Sequence, residues 1–184
     1  MTYSPMRAPE AARRVAQPIS HRPSCKVCQD QFLIIGCGDR LYGDAAVGPL
    51  VAMTVSSWGL RSVEAIAVEQ LEASLVLDLA KANYVIFVEP CAEDDAAQTT
   101  QVCPISIKNL RSETIHIAGS QCSPDTLLLL ARQFYDSCPQ SWLIRIPTEE
   151  FGCGQKLSST AQAGMNRALK TVVQFLRTYQ QLQQ

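Results

Sequence analysis

Phe32-Leu33-Ile34-Ile35-Gly36-Cys37-Gly38-Asp39-Arg40-Leu41-Tyr42-Gly43-Asp44-Ala45-Ala46-Val47-Gly48-Pro49 is the stretch that decides the fold of this chain. An apolar run ends in Gly-x-Gly, an acid-bearing turn follows, and Gly48-Pro49 opens a helix. That order describes a first β-strand delivering a loop to one edge of a parallel sheet. In open α/β sheets, ligands sit outside such edges, at the carboxyl ends of the strands. Asp39 and Asp44 suit the loop to a cation or a polar group, not to phosphate.

Outward from this motif, Gln31–Ile35 is the first strand, and a helix runs from Gly48-Pro49 to about Ser57, with Pro49 suited to a first helical turn. Val63–Val68 is short and apolar, a second strand, and Ser74 is placed to cap a short helix over Leu75–Lys81. Tyr84–Val88 is a continuous apolar run, the profile of a central strand covered on both faces, with Glu89 where it ends. A polar loop at Ala92–Thr100 leads to a fourth strand near Gln101–Ile107, whose Pro104 marks a sheet edge. Thr114–Ala118 reads as a further short extended piece.

Ser123-Pro124 starts a helix through Phe134 with Leu127, Leu128, Leu130 and Ala131 inward, and Trp142–Ile146 is the last buried strand. Ser158 caps a C-terminal helix to about Tyr179, with an apolar stripe of Ala161, Met165, Leu169, Val172, Val173 and Leu176. Strands alternating with helices predict a three-layer αβα sandwich around a largely parallel sheet.

The chain is long enough to bury one sizeable core. Residues 1–30 hold Pro5, Pro9, Pro18 and Pro23 with little periodicity, so they read as a flexible N-terminal extension to a domain spanning 31–184. That extension carries five basic residues against two acids; the remainder carries 11 against 15, and the whole chain is −1. A mildly acidic domain argues against nucleic-acid binding, which needs a basic surface. No run approaches the roughly 20 apolar residues of a membrane span. Eight scattered cysteines without a secretory segment before them point to free thiols in a reducing compartment. The expectation is a cytoplasmic monomer; an organellar transit peptide is the alternative for the Arg-rich leader.

Other motifs carry less. A dinucleotide fingerprint needs a small residue three positions after Gly38, where Leu41 stands, and Asp39 and Asp44 would repel a pyrophosphate. Cys25-Lys26-Val27-Cys28 with nearby His21 has a metal-like spacing but lacks a second pair to complete four ligands, and it precedes the first strand, unlike a thioredoxin-type redox pair. His116 alternates with Ile115 and Ile117 as a strand residue would. With only two histidines, no Ser/His/Asp or Cys/His nucleophile set can be assembled. Asp44 and Glu89 both follow strands and would meet at one sheet edge, where carboxylates hold a divalent metal or position a water. The plain alternative is a pair of solvated turn acids.

These residues resemble the hydrogenase maturation endopeptidases, which trim the C-terminal extension of the nickel-iron hydrogenase large subunit. That family opens with a strand and Gly-x-Gly-Asn-x-Leu-x-x-Asp-(Asp/Glu)-x-x-Gly, and Gly36 to Gly48 keep its glycine spacing. Glu69-Gln70-Leu71 and Leu79–Glu89 resemble its second and third strands. Ser123-Pro124-x-x-Leu127-Leu128, with Tyr135 and Pro139 beyond, is similar to its penultimate helix, and Phe151-Gly152-x-Gly154-x-x-Leu157-Ser158 to the turn before its last. The resemblance covers about residues 31–180 and implies a twisted five-stranded sheet.

The resemblance further implies a nickel-directed, aspartic-type endopeptidase whose metal is that of its substrate, the large-subunit precursor. Three family ligand positions fall on Ala45, Glu89 and Gln121, and Asp39 replaces the family's Asn. A methyl group cannot ligate and an amide is a poor transition-metal ligand. The expected site is therefore degenerate, with Asp44 and Glu89 as catalytic candidates and Glu89, Asp44 and weakly Gln121 as metal contacts. The alternative is a non-catalytic relative, with no metal, that keeps a partner-binding or scaffold role.

Overall fold

The computed structural model describes residues 31–92, 99–106, 121–154 and 156–181. The N-terminal extension, the Cys25/Cys28 pair, His21, His116 and the extended piece at 114–118 lie outside them.

Five strands form one sheet: β1 (Phe32–Cys37), β2 (Val63–Val68), β3 (Tyr84–Cys91), β4 (Gln101–Ile105) and β5 (Gln140–Pro147). Their order is β2-β1-β3-β5-β4, with every pairing parallel except β4 on β5. Among the described residues four α-helices flank it: α1 (Val47–Ser57), α2 (Val76–Lys81), α3 (Pro124–Tyr135) and α4 (Ser159–Gln181). The αβα sandwich read from the alternation is the observed architecture.

Side-chain alternation along the strands divides the core. Phe32, Ile34, Ile86, Val88, Ile144 and Ile146 turn toward α1 and α4. Leu33, Ile35, Val85 and Phe87 turn the other way, toward α2 and α3. Strands buried on both faces read as unbroken apolar runs, which is why β1 and β3 stand out in the sequence. The buried set Leu127, Leu128, Leu130 and Ala131 of α3 matches the expected inward face. Ser123 is its N-cap, its Oγ accepting from the Thr126 N–H at 3.2 Å.

The opening motif has a steric cause. A Cβ on Gly36 would run into the carbonyl oxygen of Gly48, and one on Gly48 would strike the carbonyl oxygen of Cys37 and that of Val88 at 2.7 Å. The two glycines let α1 start directly against the ends of β1 and β3, a backbone approach that no side chain permits.

Several expectations are corrected. A 3-10 turn over Gly43–Ala46 precedes α1, so the helix begins at Val47. Ser74 caps nothing: a 3-10 turn starting at Ala73 leads into α2, and its N-cap position, Glu72, makes no side-chain cap bond. Strand β3 runs on to Cys91, which places Glu89 within the strand and not after it. In α4 the most buried positions include Gly164 and Ala168, while Met165, Leu169 and Val173 are half-buried. Gly164 faces Ile146 so closely that a Cβ would press on its Cγ2.

The two ends of the sheet differ. At the amino end Phe32, Tyr84, Trp142, Phe175 and Tyr179 form a run of ring contacts, with centroids 4.6 to 6.3 Å apart, that ties α4 to the strands. At the carboxyl end the described residues leave a cavity. There β1 is followed by a crossover to one side and β3 lies on the other, the topological switch point at which α/β sheets bind ligands.

Candidate functional site

A cavity of about 450 Å³ opens at the carboxyl end of the sheet, on the α2/α3 face. Its position follows from strand parity. Leu33, Ile35 and Cys37 share one face of β1; Val85, Phe87 and Glu89 share the same face of β3; Leu143 and Arg145 continue it on β5. Register sets Gly36 beside Val88 and Glu89 beside Arg145, so Cys37, Glu89 and Arg145 form a row across three strands. Leu71, Ile105 and Leu143 supply apolar lining, and Gln121 to Asp125, leading into α3, form the facing wall.

Glu89 is partly exposed and accepts a hydrogen bond from Arg145 Nε at 3.2 Å, a charge-assisted pair. Gln121 lines the same cavity and pairs by backbone with Glu72. Two thiols join them. Burial and then the neighbouring Glu89 charge push the Cys37 thiol up, opposed by the Leu71 N–H; its Sγ lies 3.4 Å from the Glu69 carbonyl oxygen. Burial and then Glu72 push the Cys122 thiol up as well. Thiols shifted in this direction stay protonated near neutral pH and are poor nucleophiles.

Asp44 is elsewhere. It is fully buried, and its carboxylate accepts four hydrogen bonds from the segment joining β5 to α4. Oδ2 takes the N–H groups of Glu149 at 2.8 Å and Glu150 at 3.0 Å and the Ser158 hydroxyl at 2.7 Å; Oδ1 takes the Ser158 N–H at 2.6 Å. Its own N–H donates to the Glu150 carbonyl. Ser158 Oγ in turn accepts from the Ala161 N–H at 3.1 Å, so Asp44 orders the N-cap of α4. Burial raises the Asp44 pKa, but the hydrogen bonds outweigh it and hold the carboxyl below its ordinary range.

The structure therefore brings Glu89 and Gln121 into one cavity and leaves Asp44 outside its lining. The expected pairing of Asp44 with Glu89 at one site is corrected: among the described residues the Asp44 carboxylate bonds to the loop before α4. Asp39, the other acid of the opening loop, accepts from the Leu41 N–H at 2.8 Å and closes a local turn. Ala45 is not among the cavity-lining residues. Among the described residues no group of three or more His, Cys, Asp or Glu side chains is placed to hold a metal ion. Nor does any described helix have the length and apolar character to cross a membrane.

Cys37 and Arg145 were missed by reading the sequence for acids. The signal was present for Arg145: it is the one charge inside the apolar run of β5, at the parity of Leu143.

No protein-family model matches the sequence, and no curated protein matches it. Solved structures do. HybD, a hydrogenase maturating endopeptidase from E. coli, is 21% identical with a TM-score of 0.58, over 80% of this chain and 93% of that one. The HycI [NiFe] hydrogenase maturation protease of Thermococcus kodakarensis gives 18% identity and a TM-score of 0.62, over 80% and 92%. The hydrogenase 2 maturation peptidase of Thaumarchaeota archaeon SCGC_AB-539-E09 gives 22% and 0.60, over 80% and 98%. Matching these proteins over 92 to 98% of their lengths at TM-scores of 0.58 to 0.62, the chain has the fold of the hydrogenase maturation endopeptidases.

Proposed function

We propose that this protein is a hydrogenase maturation protease-like binding protein. It takes the C-terminal segment of a nickel-iron hydrogenase large subunit, or a polypeptide of that kind, into the cavity between Glu89 and Gln121. Nickel-directed cleavage is lost in this reading. The observation that carries it is the split of the two carboxylates: Glu89 faces the cavity already bonded to Arg145, and Asp44 is consumed by the loop before α4.

The residues present do not fit the substrate's nickel. They offer Glu89 beside a guanidinium, the Gln121 amide, two thiols whose burial favours the protonated form, and Asp125 on the facing wall, and among the described residues no three such groups are placed to hold a metal ion. They fit a polypeptide better. A floor of Leu71, Ile105 and Leu143 accepts apolar side chains, while the Glu89 carboxylate, the Gln121 amide and Ser123 offer hydrogen bonds at the rim. In this reading the protein works as a cytoplasmic monomer, and residues 1–30 are an extension to the binding domain.

A second reading, the endopeptidase itself, is favoured by one fact: two of the three family ligand positions, Glu89 and Gln121, do share the cavity. Incubating the purified protein with a nickel-loaded large-subunit precursor separates the two. Complex formation without shortening of the precursor supports the binding protein. Removal of the C-terminal extension, abolished in Glu89→Gln, establishes the endopeptidase. Neither complex nor cleavage defeats both.

A further inference from the structure

We infer that Arg145 is the residue that closes this cavity to divalent metal: its guanidinium is a resident cation beside Glu89. The inference rests on the reading that the Glu89 cavity is the functional site, and it names what sets that site's specificity.

The geometry is direct. Glu89 and Arg145 are register partners on adjacent parallel strands, on the same face, with Nε 3.2 Å from Oε1. A metal ion on the Glu89 carboxylate would sit within a few ångströms of this positive charge. Both side chains are partly exposed, so solvent weakens the repulsion, but at this separation, well inside a Debye length, it is not abolished. An arginine keeps its positive charge throughout the pH range in which the protein is folded. Ile144 and Ile146, on either side of Arg145 in the strand, are fully buried, so the backbone from which the guanidinium reaches Glu89 is anchored in the core.

The other side of Glu89 completes the argument. Cys37 is level with it on β1 and lines the same cavity. Sulfur and carboxylate oxygen together suit a soft or borderline divalent ion. The row thus holds a latent two-donor site, Cys37 and Glu89, with a permanent positive charge as its third member. The positive charge decides between metal and a hydrogen-bonding polypeptide.

Calorimetry with cadmium on the full-length chain tests this. Arg145→Met and Arg145→Gln, each checked for the parent's circular dichroism and melting temperature, should bind cadmium at least about tenfold more tightly than the parent. Arg145→Lys keeps the charge and should stay near the parent. Adding Glu89→Gln to Arg145→Met should return affinity to the parent level. Arg145 is partly exposed, so both neutral variants are expected to fold. If both fold and neither gains affinity, the inference fails; if Arg145→Lys gains as much as Arg145→Met, the block is one of shape and the inference also fails. Precursor binding by the parent is read separately. A cadmium gain without precursor binding defeats only the proposed function, and precursor binding without a cadmium gain defeats only this inference.

Discussion

Asp44 and Glu89 are the same kind of group, each near the carboxyl end of a strand, and the molecule uses them in opposite ways. Asp44 follows a glycine turn, is wholly inaccessible and is saturated by four donors. Glu89 lies within β3, is partly exposed to a cavity and has Arg145 across the register. A carboxylate that takes its hydrogen bonds from backbone N–H groups holds a loop in place. One that faces a cavity beside a cation is available to a ligand. The difference separates the architecture of this fold from its chemistry.

The comparison breaks first at Asp44. Asp44→Ala leaves three N–H groups and a hydroxyl without their acceptor in a buried turn, and should cost about 3–5 kcal/mol. For a chain of this size that is a fall in melting temperature of roughly 10 °C or more, measured by calorimetry or circular dichroism. A loss of only a degree or two would mean that the clamp is not needed to seat α4.

Acid should expose the same clamp more gradually. Because the folded-state pKa of Asp44 lies below the ordinary carboxylate value, its contribution is fully present above the unfolded pKa, about 3.9. It is lost as the pH falls through the folded value. The parent should therefore lose stability steeply below about pH 4, and Asp44→Ala should show a shallower acid limb in denaturant melts between about pH 5 and pH 2.

Glu89→Gln should sharpen the contrast from the other side. Its pair with Arg145 is partly exposed on both partners, and pairs of that kind contribute about 0–1 kcal/mol. The melting temperature should move by no more than about 2–3 °C. A similarly small effect is expected from removing residues 1–28. With no periodic apolar face in that segment, a chain starting at Gln29 should melt within a few degrees of the full protein.

How much of this was legible in the sequence depended on the physical signal at each place. Strands β1 and β3 were legible because burial on both faces writes unbroken apolar runs. The glycine spacing marked the entry of α1 because only glycine fits between the backbones of Gly36 and Gly48. The Ser123 and Ser158 caps were readable from residue type and position, whereas Ser74 has the right type but sits inside a 3-10 turn. Gly164 and Ala168 escaped notice because a stripe counted in large apolar side chains overlooks the small residues that let α4 approach β5.

At the site the legible part was Glu89 and Gln121. The roles of Asp44 and Arg145 were not, for a common reason. Their partners lie 105 to 114 residues away for Asp44 and 56 residues away for Arg145, brought together by loop packing in the first case and by strand register in the second. A turn acid has no parity to follow. Glu89 has one, two residues beyond Phe87, and that parity places it over the α3 face once β3 is known to continue past Val88.

The most direct test compares the two carboxylates in one binding experiment. Parent, Asp44→Asn and Glu89→Gln are each titrated with the nickel-iron hydrogenase large-subunit precursor, at a temperature where all three are folded. Glu89→Gln should bind at least about tenfold more weakly with its melting temperature nearly unchanged, since a buried charge-assisted contact is worth about 1.5–3 kcal/mol. Asp44→Asn should melt lower yet bind within a factor of about two, the difference being in folding and not in contact. Weakened binding in Asp44→Asn, with Glu89→Gln indistinguishable from the parent, would contradict the assignment of clamp and cavity.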